Sequence, residues 1–91
     1  MSSSPAGLPP ATELSTYVFA VYADADPDVM PRVLEQFAKR NLVPARWYSA
    51  VEAPELHIDV RVEALTETLA RHIARALETL VNVRQVVTAR A

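Results

Sequence analysis

A chain of 91 residues holds one small domain, and a domain of that size buries only about 60% of the surface its unfolded chain exposes, so association with a partner would help it. The net charge of −2 without a basic patch argues against nucleic acid, and the lack of any cysteine removes disulfides, thiolate chemistry and most zinc frameworks. No apolar run approaches the ~18 residues of a membrane span, and residues 1–12 lack the basic-then-apolar build of a secretory signal, so the expected address is cytoplasmic with no membrane contact.

Residues 1–15 are rich in Ser, Pro and Ala and contain the only glycine, Gly7. Such a segment buries too little apolar surface to offset its ordering entropy, so it reads as a flexible tail, with the domain proper over residues 16–91. From Thr16 the pattern changes. Tyr17, Val18, Phe19, Ala20, Val21 and Tyr22 are apolar on both alternating faces, which predicts a central strand. The acidic stretch 24–28 ends it.

A first helix follows. Asp28 is the expected N-cap, preferred over Asp26 because Pro31 then falls in the first turn, where a missing N–H costs nothing. Met30, Val33, Leu34, Phe37 and Ala38 recur at three- and four-residue spacing and predict the buried stripe; Arg32, Glu35, Gln36, Lys39 and Arg40 fill the wet face. Asn41 is a natural left-handed stop, and Pro44 forbids continuation. Residues 45–51 predict a second strand, and 52–54 a turn. Over 56–62 the alternation is clean, with Leu56, Ile58, Val60 and Val62 on one side and His57, Asp59 and Arg61 on the other. Thr66 then caps a second helix. Leu69, Ile73, Ala76, Leu77 and Leu80 form its apolar face, and Glu67 with Arg71 forms an i,i+4 pair. Residues 83–88 predict a last strand.

Strand, helix, strand, strand, helix, strand is the ferredoxin-like α+β plan: a four-stranded antiparallel sheet with both helices on one face. Phe19, Val21, Val33, Phe37, Ile58, Val60, Ile73, Leu77 and Leu80 make the expected core.

The plan hosts many functions, so the side chains must decide. Phosphate cradling needs a basic loop after the first strand, metal transfer needs a cysteine pair there, and RNA stacking needs aromatics where Asp59 and Arg61 stand. The chain has none of these. His57 and Asp59 invite a catalytic reading, but they read first as the wet or interface side of a strand. Asp24, Asp26 and Asp28 form too sparse a set for a metal loop. No catalytic residue, metal or cofactor is expected. Trp47 and Tyr48 fall on a strand this topology puts at a sheet edge, where exposed aromatics mark an oligomer interface.

The apolar strand running into an acidic loop, then Asp26, Pro27, Asp28, Val29, Met30 and Arg32, with Phe37 and Arg40 ending the helix, resembles the ACT domain, a small amino-acid-sensing regulatory module. Within that family the likeness is to the short, single-domain small subunit of acetolactate synthase. The resemblance implies a non-catalytic regulatory or structural module of branched-chain amino-acid biosynthesis. It further implies a homo-oligomer, a dimer, and an enzyme large subunit as partner. As an alternative it implies a stand-alone sensor holding an amino acid at Asp24, Ala25, Asp26, Asp28, Val29 and Met30. Amino-acid-binding members usually carry glycine where this chain has Asp28 and asparagine where it has Ala25. Asp28 puts a negative charge where a ligand carboxylate would sit, which argues against ordinary feedback binding.

Overall fold

The computed structural model describes residues 13–91; residues 1–12, and with them most of the expected tail, lie outside the described residues. Strand β1 (Ser15–Asp24) extends the apolar run Tyr17–Tyr22 by two residues at each end, taking in Ser15 of the expected tail and Asp24 of the acidic stretch. Its side chains alternate as a central strand requires, with Tyr17, Phe19, Val21 and Ala23 buried and Val18 and Ala20 half-covered on the other face.

Helix α1 (Val29–Ala38) crosses to β2 (Arg46–Glu52), which turns through a cis Ala53–Pro54 peptide into β3 (Glu55–Leu65). Helix α2 (Glu67–Glu78) then leads to β4 (Val83–Arg90). The strands lie in the order β2–β3–β1–β4, and all neighbours are antiparallel. Phe19 pairs with Val60 and Val21 with Ile58, so both central strands turn the same apolar row to one side. The helices close over that row. Phe37 of α1 meets Phe19 edge-on, with ring centroids 5.4 Å apart, and Ile73 and Leu77 of α2 are buried in the same cluster. This is the expected ferredoxin-like sheet with both helices on one face.

Helix α1 departs from expectation in two ways. Its buried stripe is Val29, Val33, Gln36 and Phe37, while Met30 and Leu34 remain 37% and 45% exposed and Ala38 is exposed too. Gln36 is therefore not on the wet face; its carbonyl oxygen and Oε1 both accept from the Arg40 guanidinium, at 2.7 and 3.3 Å. The second departure is the cap. Asp28 holds the N-cap position as expected, but it has helical backbone angles and makes no side-chain cap bond; Asp26 Oδ1 accepts from the Asp28 N–H at 2.9 Å instead. Pro31 still falls in the first turn, as expected.

Helix α2 keeps its expected cap and ion pair, but its buried side is Ala70, Ile73 and Leu77, with Ala70 absent from the expected face and Leu69 and Ala76 only partly covered. Thr66 Oγ1 accepts from the Leu69 N–H at 3.1 Å, and Arg71 reaches Glu67 at 3.4 Å. Leu80 packs against the core without being fully buried. Three residues with a β-carbon take positive φ: Asn41 (61°), Ala64 (61°) and Asn82 (72°). Asn41 ends α1 as expected. Ala64 sits in a bulge where β1 advances from Ser15 to Tyr17 while β3 runs from Leu65 to Val62, which lets Leu65 return to the core beyond Val62.

Candidate functional site

The loop between β1 and α1 is tied on two sides. Asp24 donates its N–H to the Asn82 carbonyl at 2.8 Å, and Ala25 donates to the Pro54 carbonyl at 3.0 Å. A helix N-terminus ordinarily offers free N–H groups to an anion. Here Asp28 gives its N–H to Asp26 Oδ1, Val29 gives its own to the Asp26 carbonyl at 3.1 Å, and Pro31 has none. The chain's own aspartate thus occupies much of what a ligand carboxylate would use.

The six residues expected to hold an amino acid do not converge. Ala25, Asp26 and Met30 line one hollow of about 270 Å³ with Pro27, Val51 and Leu56. Asp28 faces a smaller one of about 130 Å³, with Asp26, Arg32, Val81 and Asn82. Val29 is 1% exposed and belongs to the core. Asp24 accepts from Arg84 Nε at 2.7 Å, and that hydrogen bond, with the carboxylate's charge, raises the guanidinium pKa above its ordinary value. The larger hollow is mostly apolar with a single carboxylate, a lining that suits an apolar group better than an anion.

The face of the sheet away from the helices is the other feature. Trp47 and Tyr48 lie on opposite sides of edge strand β2: Trp47 packs against the core, while Tyr48 stands 58% exposed on the open face. His57 and Asp59 share that face, with His57 Nε2 3.1 Å from Asp59 Oδ1 and the His57 ring stacked on Tyr22 at 4.7 Å. Both side chains are half-exposed on the open face of the sheet. Beside them Val18, Arg46, Tyr48, Asp59 and Arg61 line a hollow of about 230 Å³. Arg46 was not singled out in the sequence; its place opposite Arg61 becomes visible only through the β2–β3 register. Among the described residues no cluster of three or more His, Cys, Asp or Glu is arranged to hold a metal ion, and no helix is long and apolar enough to cross a membrane.

Sheet topology and helix placement define a small ferredoxin-like α+β domain. A family model described as an ACT-like domain matches residues 11–91, and the chain belongs to that family.

The ACT domain of a GTP pyrophosphokinase from Chlorobium tepidum superposes with a TM-score of 0.75 at 5% identity, over 85% of this chain and 100% of that one. An ACT domain protein from Streptococcus pneumoniae gives 0.70 at 16% identity, over 87% and 92%. A homoserine dehydrogenase from Thiobacillus denitrificans gives 0.75 at 17% identity over 91% of this chain, which spans only 19% of that enzyme. At these identities the likenesses establish the fold. No curated protein matches the chain in sequence.

Proposed function

We propose that this chain is a non-catalytic ACT-like module that self-associates and supports a biosynthetic enzyme in the cytoplasm. The partner would be a large subunit such as that of acetolactate synthase, in branched-chain amino-acid synthesis. The observation that carries the reading is the hold of Asp26 on the Asp28 N–H. The domain keeps its family's frame, while the Asp28 and Val29 N–H groups at the helix start are engaged by Asp26 and Asp28 adds a further negative charge. A frame without its ligand chemistry serves as a scaffold. Affinity capture of the full chain from its native cell, followed by mass spectrometry, is expected to return a large biosynthetic subunit. Repeated captures without one would count decisively against the proposal.

The hollow beside the loop favours a second reading, a sensor that takes an amino acid by its apolar side chain between Ala25, Met30, Val51 and Leu56. Thermal-shift screening of the amino acids tests it. A ligand at about a hundred times its dissociation constant adds ~2.7 kcal/mol to stability. Absence of a shift with every amino acid would end this reading.

A further inference from the structure

Strand register arranges the open face as a grid with a definite charge order. At one end Arg46 lies directly opposite Arg61, with Val18 and Ala89 continuing the row; at the other end Glu52 lies opposite Glu55, followed by Asp24. Between them run Tyr48, Asp59, Ala20 and Val87, and then Ala50, His57, Tyr22 and Gln85. Like charges directly opposite across neighbouring strands destabilise a sheet. This face has two such pairs, of opposite sign, at its two ends. None of Arg46, Arg61, Glu52 and Glu55 is in an ion pair among the described residues, although Arg84, bound to Asp24, lies near enough to Glu55 to feel its charge and offsets part of the acidic end. Tyr22, Tyr48 and Val87 are exposed large apolar side chains on the same surface.

We infer that this face is covered by the same face of a second copy, related by a two-fold axis lying in the plane between the sheets and running across the strands. This choice of surface rests on the self-association proposed above. Such an axis reverses the strands and keeps each over its own counterpart. Arg61 then lies over Glu55 of the second copy and Arg46 over Glu52, so one contact, made twice, relieves both like-charge pairs. The middle rows also fit. Tyr48 falls over Ala50 and Tyr22 over Ala20, large against small, and Asp59 falls over His57. An axis running along the strands would instead gather both copies' arginines at one end and both copies' acids at the other. A small anion would answer only the arginine end and leave Glu52 and Glu55 unrelieved.

Four strands about 4.8 Å apart and the 7 residues of β2 at about 3.3 Å each span roughly 400 Å² of flat face per copy. Two such faces approach the floor for a specific interface once side-chain relief is counted, so the pairing dissociates on dilution.

Sedimentation equilibrium of the full chain over a concentration series is expected to show a monomer–dimer equilibrium. Arg61→Glu and Glu55→Arg, each alone, should weaken it by roughly tenfold or more through like-charge contact, with circular dichroism showing both variants folded. An equimolar mixture of the two variants should recover the dimer, because each then presents the complement of the other; so should the double variant in one chain. A wild-type dimer indifferent to both substitutions overturns this face while leaving self-association intact. A monomer at every concentration overturns both. A monomer whose melting temperature rises with inorganic phosphate, and whose rise is lost in Arg61→Glu, assigns the arginine pair to a small anion and likewise overturns the inference.

Discussion

Ala64 is the residue least at ease in its conformation. At a φ of 61° its β-carbon crowds the following carbonyl oxygen, a cost of about 1–2 kcal/mol that glycine avoids. Asn41 and Asn82 occupy the same region with a side chain that tolerates it better. Glycine loses more entropy on folding, so Ala64→Gly should stabilise by a net of roughly 0.5 kcal/mol. Urea unfolding measures it, and a midpoint below that of the wild type would contradict the strain. Phe37 presents the opposite case. It is fully buried and edge-on to Phe19, so Phe37→Ala removes a large side chain from the middle of the core. The expected cost is about 3–5 kcal/mol, a large share of the ~5–15 kcal/mol typical of a domain. Equilibrium unfolding that registers a loss of less than about 1 kcal/mol would show the core closing around the gap.

Helix α1 shows where local pattern stops being informative. Val29, Val33 and Phe37 form one apolar row at four-residue spacing, and Met30, Leu34 and Ala38 form another directly beside it. Both are valid helix faces, and only the sheet beneath decides between them. It takes the first and leaves the second at the surface. Gln36 is buried because it lies next to the chosen row, with Arg40 satisfying its oxygens. In helix α2 the Thr66 cap and the buried Ile73 and Leu77 are legible in the sequence, whereas the buried Ala70 is not, since a small side chain adds little to the apolar pattern. The start of α1 provides a direct comparison of two carboxylates. Asp26 makes the capping contact and Asp28 does not, so Asp26→Ala should lower stability by about 1 kcal/mol while Asp28→Ala leaves it nearly unchanged. Thermal unfolding of the two variants side by side decides it; the reverse order would restore Asp28 as the cap.

At the scale of the molecule, element order and the alternation of 56–62 were enough to read the sheet and the side on which its helices lie. That Val60 lies opposite Phe19 is fixed by the register, which the antiparallel order alone does not reveal. The candidate site was far less legible. Nothing near Arg46 in the chain reveals that it will stand beside Arg61, because that neighbourhood is created by register and not by spacing. Likewise the run 24–30 looks like one binding loop on paper, yet a buried Val29 and an Asp24 held by Arg84 divide it. Local pattern reports periodicity, whereas sites depend on which distant positions the strands bring level.

The paired like charges have one more consequence, in how the molecule should respond to ionic strength. Screening shortens the reach of charge to about 10 Å at 0.1 M salt and further above it. Within a single copy it relieves the repulsion of Arg46 by Arg61 and of Glu52 by Glu55. Between copies the same ions weaken the attractions that join one end to the other. Sodium chloride should therefore raise the melting temperature of the chain diluted below its association range while raising the dissociation constant measured at higher concentration. Heat resistance and assembly would then move in opposite directions along one titration, and a parallel response of the two would show that these charges do not govern both.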